Sequence, residues 1–326
     1  MWREMNYLAR KIRDGVLLLI GVSALSFLLL EIAPGNFLSE MQLNPQISPE
    51  TVAALRVRYG LDRPVPVRYL RWLHSTATGD FGYSFSYNVP VADLVWPRAK
   101  NTLLLTTCAS LLAWIVALPV GIGMALKRGS AAAQAASGIV SLLLAIPELT
   151  LALGALVFAA YTRIFPIGGM FSFSAENASG GAALVDLGRH LVLPASVLAL
   201  GVAPMLVRHI RAAVIEVLDA GFVRAGRALG IPRRTLLFEY VLRAAANPLI
   251  SLAGLSVAGL LSMSLLVEVV LSWPGLGPLL LEAIFARDIF LVIAVVMLST
   301  AFLVCGNFLS DFALLACDPR IRRDIS

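Results

Sequence analysis

Phe222-Val-Arg-Ala-Gly-Arg-Ala-Leu-Gly-Ile-Pro-Arg-Arg-Thr-Leu-Leu-Phe-Glu-Tyr-Val-Leu-Arg243 is a long arginine-dense stretch set between two apolar runs. The run before it closes near Val207 and the run after it opens at Asn247-Pro248, so whatever grips the stretch acts on two membrane helices at once. Its punctuation is helical. The segment from about Ala212 to Leu229 reads as a continuation of the preceding helix, and Gly230 suits the left-handed position that ends one. Pro232 then opens a short helix, 232 to about 246, which Asn247-Pro248 closes. Helix, glycine turn and helix make a compact knob carrying Arg224, Arg227, Arg233 and Arg234, placed to touch another protein and pass force to the membrane.

Working outward, the rest of the chain is lipid-soluble. Of its 326 residues, 59% are hydrophobic and 14% charged, with a mean hydropathy of +0.83, far from the composition of a water-soluble domain. A hydrocarbon core about 30 Å thick needs roughly 20 apolar residues per helical crossing. Segments of that length with few or no charges are expected at about 14–34, 101–126, 137–162, 191–210, 248–271 and 289–315. The fold class is therefore an all-α polytopic membrane protein of about six spans.

A net charge of +6 does not argue for nucleic acid, because the basic residues sit in loops, where orientation in the membrane accounts for them. Lys and Arg concentrate on the N-terminus, on Lys127-Arg128, on the stretch from Arg208 to Arg243 and on Arg320, Arg322 and Arg323. The short loops on the other side hold only Arg163, Arg189 and Arg287, and the remaining seven lie in the first outer loop, roughly 35 to 100, which is about long enough to escape the rule. The positive-inside rule then puts both termini and the arginine stretch in the cytoplasm. The basic N-terminus followed by an apolar run has the outline of a signal peptide. The run ends in Glu31-Ile-Ala-Pro-Gly-Asn rather than in a small-residue cleavage site, so a retained first helix is expected.

The expected organisation is 1–34, N-terminus and first span; 35–100, an extracytoplasmic loop or cap; and 101–326, the transmembrane core, with 212–247 as its cytoplasmic segment. In the loop, Ser48-Pro49-Glu50 reads as a helix start running to about Arg58 and stopped by Gly60. Pro64 and Pro66 open a second amphipathic helix with Val67, Leu70 and Leu73 on one face and Arg68 and Arg71 elsewhere. The segment is either a cap on the bundle or an interfacial helix that anchors it.

The third span carries Ala145-Ile-Pro147-Glu148-Leu-Thr150. A carboxylate within a span costs about 2.5 to 3.5 kcal/mol on insertion scales and faces a bundle interior or a water-filled path. Pro147 removes one backbone hydrogen bond and bends the helix. Glu148 is either a path-lining group that meets a cationic part of the substrate or a hydrogen-bonded structural glutamate. Gly201 and Pro204 in the fourth span, and Gly254 and Gly259 in the fifth, read as close-packing or loosening positions. Cys108, Cys305 and Cys317 have no metal-ligand or redox spacing and read as packing residues. No GxxxxGK[ST], HExxH or GxSxG occurs, and His74, His190 and His209 are scattered, so neither ATP hydrolysis by a P-loop nor an intramembrane enzyme is supported.

Arg224-Ala-Gly-Arg-Ala-Leu-Gly230, followed by nine residues and then Tyr240-Val-Leu-Arg243, resembles the EAA-type coupling motif of ABC-importer permeases. The likeness is to the dipeptide, oligopeptide and nickel variant, in which arginine replaces the signature glutamate. Arg224 stands at the glutamate position, Ala225 and Gly226 at the two alanines and Gly230 at the motif glycine, while Tyr240 and Arg243 depart from the general motif. Tyr59-Gly-Leu-Asp-Arg-Pro-Val-Pro-Val-Arg-Tyr-Leu-Arg-Trp72, Gly79-Asp-Phe-Gly-Tyr-Ser84, Ser272-Trp-Pro-Gly-Leu-Gly277, Ala286-Arg-Asp288 and Asp318-Pro-Arg-Ile-Arg322 carry the resemblance along nearly the whole chain. They match the permease with the larger outer loop after its first helix.

The resemblance implies a type I importer of the inner membrane. A second homologous permease, two cytoplasmic ABC ATPases and an extracytoplasmic solute-binding protein would be the partners. ATP and magnesium would be used by the ATPases, with no cofactor or metal held by this chain. Gly221, Arg224, Ala225, Gly226, Arg227, Gly230, Ile231, Pro232, Arg233 and Arg234 would meet an ATPase. Trp273, Pro274, Gly275 and Gly277 would serve docking of the binding protein, and Pro147 and Glu148 the substrate path. The rival classes are a stand-alone secondary transporter or channel, which would need more intramembrane carboxylates than Glu148, and an export permease.

Overall fold

The computed structural model describes residues 2–32, 48, 50, 57, 62–172 and 180–317, with side chains excepted at 2–8, 255, 258 and 313–317. The elements are α1 (Trp2–Ile32), α2 (Val65–Ala77), β1 (Tyr83–Ser84), β2 (Val89–Pro90), α3 (Val91–Leu126), α4 (Ala131–Ala145), α5 (Glu148–Thr162), α6 (Gly181–Leu218), α7 (Gly221–Ala228), the single turn α8 (Arg233–Thr235), a π-helical turn Leu236–Val241, α9 (Leu242–Val270), α10 (Leu276–Phe285) and α11 (Ile289–Cys317). Ala9–Ile32, Val91–Leu126, Gly181–Leu218, Arg233–Gly254 and Ile289–Phe312 are long and apolar enough to cross a membrane, and α4 with α5 makes up a sixth crossing if the bent pair counts as one. Of the helix proposed to start at Ser48 and end near Arg58, Ser48, Glu50 and Val57 are described, the latter two helical, and the rest lies outside the described residues, as does the Asp318–Arg322 tail.

The expected third span differs most from its reading. α4 and α5 meet at 97°, and at 15 residues each they are only about 22 Å long, too short to cross singly. Ile146 is extended because the ring of Pro147 excludes the helical conformation from the residue before it. Pro147 itself sits outside α5 as its N-cap, so the proline breaks the helix rather than bending it.

Two compact units share the chain: residues 1–9, 103–273 and 303–326 form one, and residues 10–102 with 274–302 form the other. The outer-loop segment belongs with the first span and with 274–302.

In the first unit, α9 and α6 lie along each other, and α4, α5 and α3 complete the core. Leu105, Ala109, Ala113 and Ala117 of α3 recur every four residues and are fully buried. Gly121 continues that stripe. A Cβ there would lie 2.8 Å from Ile210 Cγ2 and 3.1 Å from the Val207 carbonyl oxygen of α6, so only glycine permits this approach. Gly121→Leu is expected to lower stability by about 1–3 kcal/mol or more through overpacking. Gly123→Leu, where nothing lies within 4 Å, should leave it unchanged, and thermal unfolding in detergent compares the two. Gly201 and Gly254 are likewise close approaches, to Met263 and Ser310, whereas Gly259 meets nothing within 4 Å.

In the second unit, Val65, Tyr69 and Trp72 of α2 pack with Phe27 of α1 and Ile293 of α11. The expected face of Val67, Leu70 and Leu73 is corrected in part: Leu73 packs against this core, whereas Leu70 is 62% exposed and Val67 is exposed too. The aromatic side chains bury more area, and Tyr69 finds a hydroxyl partner in Ser23 at 2.9 Å, so their stripe wins the core. Arg68 pairs with Glu31 at 3.0 Å. The hairpin β1–β2 pairs Tyr83 with Pro90 and Ser84 with Val89.

Candidate functional site

α6 does not run unbroken to Leu229, as its composition suggested. It stops at Leu218, where the Asp219 and Ala220 amides close on the carbonyls of Ile215 and Val217 and Ala220 turns extended. The Arg128 guanidinium grips both oxygens of Asp219, at 2.7 and 2.8 Å, and holds that carboxyl below the usual range. Both side chains are exposed, so this pair fixes a corner more than it stabilises the fold.

The corner delivers α7, whose two faces differ. Val223 and Gly226 are buried, while Gly221, Arg224, Ala225, Arg227 and Ala228 are exposed. α7 ends as expected at Gly230, with φ +76°. The Gly230 amide donates to the Arg227 carbonyl and the Ile231 amide to the Gly226 carbonyl, both at 3.1 Å, which is the Schellman pattern with its apolar contact from Ile231 to Gly226. A Cβ on Gly226 would lie 2.9 Å from Leu236 Cδ1, so the return strand of the knob packs directly on α7. Pro232, Arg233 and Arg234 are exposed on that return.

After Pro232 the chain differs again from expectation. The short helix does not end at Asn247-Pro248. α8 passes through the π-helical turn into α9, which carries Pro248 in its interior. Buried Val241, Ala245 and Leu252 hold that helix in place, and one missing amide is tolerated in a long packed helix. The knob is therefore joined to α9 without a break, a stiffer connection than two helices separated by a proline.

Charge is only part of this surface. Phe222 is 50% exposed and Leu229 80%, and Phe238 is exposed as well, so apolar side chains stand among the arginines. Sequence reading missed them because residues of a short helix lack the several turns needed to show a periodicity. An exposed apolar group rimmed by cations is the composition of a protein contact.

The other candidate residues separate. Trp273 is fully buried, Gly275 and Gly277 are buried too, and Pro274 is half-buried, so little of the segment expected to dock a binding protein is open on this chain. α9 ends in a second Schellman turn with Ser272 at φ 52°, its Trp273 amide donating to the Glu268 carbonyl at 2.8 Å. Glu148 opens α5 half-buried, with Oε1 inaccessible to solvent and unpaired among the described residues. Glu268 of α9 is fully buried, a second intramembrane carboxylate that the sequence reading did not single out.

Two further motifs meet in the second unit. Asp288, fully buried, accepts from Ser84 Oγ at 2.7 Å, from the Ser86 amide at 3.1 Å and from Ser86 Oγ at 3.0 Å, and its other oxygen takes the Leu291 amide at 3.3 Å. The Gly79–Ser84 and Ala286–Asp288 segments are thus halves of one clamp. Nearby, Tyr87 donates to Glu282, and burial together with that carboxylate pushes its hydroxyl up to about 12.

The family model described as binding-protein-dependent transport system inner membrane component matches residues 117–323, and its N-terminal companion matches residues 4–106. The chain belongs to this family. As a member it is an inner-membrane ABC transporter permease, and the permease subunits of the family are not themselves enzymes. The oligopeptide transport system permease protein AppB of Bacillus subtilis is 33% identical, covering 97% of this chain and 98% of that one. The dipeptide transport system permease protein DppB of Escherichia coli K12 is 30% identical, covering 98% and 99%. Among solved structures, the inward-facing MetNI methionine ABC transporter superposes with a TM-score of 0.56 at 20% identity, covering 69% of this permease and 96% of that chain, so the two share a fold.

Proposed function

We propose that this permease is one half of the translocation path of an ATP-driven importer for peptides or a related solute, and that Gly221–Arg234 is its contact with a cytoplasmic ATPase. The observation that carries the reading is the α7 knob. One side is buried and locked to Leu236 and Ile231, the other presents Arg224, Arg227, Phe222 and Leu229, and both ends continue into long apolar helices. A rigid element with such a surface transmits a partner's movement to α6 and α9, and packed helices switch between discrete arrangements rather than deforming smoothly. The knob lies on the cytoplasmic side with both termini. Nucleotide and magnesium are handled by two ATPase subunits, and the chain itself binds no cofactor.

A second, homologous permease completes the path, and a solute-binding protein delivers the cargo from outside. The names of the peptide permeases that match along nearly the whole chain support peptides as the substrate class. The exposed apolar side chains of α4 and α5, including Ile139, Leu142, Leu153 and Tyr161, suit lipid or that second permease. Vesicles containing both permeases and ATPases should accumulate peptide only with ATP and the binding protein. Uptake by this chain alone, without ATPase, would establish a secondary transporter instead.

Glu148 lines the path in this reading. It stands half-buried at the N-terminus of α5, beside the sharp break, where the helix end favours a negative charge. Glu148→Gln is expected to reduce uptake of a lysine-containing peptide several-fold while leaving a neutral peptide nearly unchanged. Equal uptake of both peptides by Glu148→Gln and by Glu148→Ala removes the residue from the path.

A further inference from the structure

A cavity of about 510 Å³ opens in the second unit, walled by α2 and Arg63 just ahead of it, by Val57, by the Asp80–Tyr83 turn with Pro90, and by Phe290 of α11. Its size is that of a small-ligand site. Arg68, Arg71, Trp72 and Ser75 reach it from α2, and their spacing of three, four and seven residues puts them on one side of that helix. Arg63 joins them from just ahead of the helix.

The walls are held by specific contacts. Trp72 is buried and its Nε1 donates to the Phe81 carbonyl at 3.2 Å. The Tyr83 hydroxyl donates to Asn88 O at 2.7 Å, and Gly82, at φ +96°, rests on the Phe290 ring. Asp288 clamps the same turn from beneath through Ser84 and Ser86.

The charges are unequally committed. Arg68 is paired with Glu31. Neither Arg63 nor Arg71 has a carboxylate within ion-pair distance among the described residues. Asp80, which lines the same cavity, accepts the Gly82 amide through Oδ1. Two guanidinia without an ion pair among the described residues, aromatic side chains and one carboxylate suit a small ligand carrying both signs, with the planar guanidinium favouring a carboxylate.

We propose that this cavity binds the carboxylate end of a short peptide, with Arg63 and Arg71 taking the carboxylate and Asp80 its ammonium group. It is a peptide site of this permease on the same side as the solute-binding protein, and in that respect it rests on the importer reading.

The test uses the assembled transporter without its binding protein, and equilibrium dialysis of radiolabelled trialanine. Trialanine should bind, its C-terminal amide about tenfold more weakly, and Arg63→Ala with Arg71→Ala should lose binding by about tenfold or more. Arg71→Lys should recover part of it, and co-purification of the ATPase with each variant verifies that the permease has folded. Absence of trialanine binding, equal binding of the amide, or insensitivity to the double substitution overturns the proposal. Phosphoethanolamine, a lipid headgroup with the same two charges, should compete poorly; displacement more effective than by trialanine itself assigns the cavity to lipid and overturns it too. Failure of the importer reading is seen separately, as absence of ATP-dependent peptide uptake by the complete wild-type system.

Discussion

Gly230→Val combined with Arg224→Glu is expected to abolish solute uptake and to release the ATPase from the purified complex. Valine at φ +76° costs about 1–2 kcal/mol in backbone strain alone, and a β-branched residue is the least able to adopt that conformation. Relief of that strain opens the Schellman turn, which frees Ile231 from Gly226 and lets α7 swing away from Leu236. Arg224→Glu reverses the sign of an exposed position on the same helix, and a misplaced charge at a contact works against association. Each change acts on a different property, geometry and charge, so the single variants should each be impaired and the double inactive. Uptake assays in vesicles and co-purification measure the two effects independently. Gly226→Ala serves as the mild comparison, because the atom it would press is the free end of Leu236.

Asp288→Ala should be the most destabilising single change in the second unit. Its carboxylate, itself closed to solvent, accepts from buried Ser84, from the amide and hydroxyl of exposed Ser86 and from the Leu291 amide. Truncation leaves these donors without an acceptor, for a loss of about 3–5 kcal/mol. Asp288→Asn keeps one acceptor oxygen and should cost about 1–2 kcal/mol. Limited proteolysis reads the difference, with cleavage between Gly79 and Pro90 appearing rapidly in Asp288→Ala and slowly in Asp288→Asn. Equal protection of both variants and wild type would show that the clamp contributes nothing to the turn.

Much of the fold follows from local signals. Apolar length located the spans, Gly230 marked the end of α7 and Pro232 the beginning of the return, because each depends on the conformational limits of one residue. What escaped depends on partners distant in sequence. The break after Leu218 is tied to Arg128, which is 91 residues away. The role of Asp288 needs Ser84 and Ser86, more than 200 residues earlier. Pro147 and Pro248 are the same residue type in apolar runs, yet one breaks its helix and the other is carried within it. Packing decides between those outcomes, and composition around each proline does not reveal it. In the candidate site the arginines were legible as charges, whereas Phe222 and Leu229 became part of it only when the buried face of α7 was known.

The coupling role rests on where the α7 knob lies and what touches it. Leu229→Cys and Arg227→Cys, introduced singly into a permease from which Cys108, Cys305 and Cys317 have been replaced, allow this to be measured by disulfide or maleimide cross-linking in the assembled complex. Adducts with the ATPase that form from the cytoplasmic side and change in yield with nucleotide are the predicted result. Cysteines at these positions that react with a membrane-impermeant reagent from outside, or that never reach the ATPase in an intact complex, would contradict it.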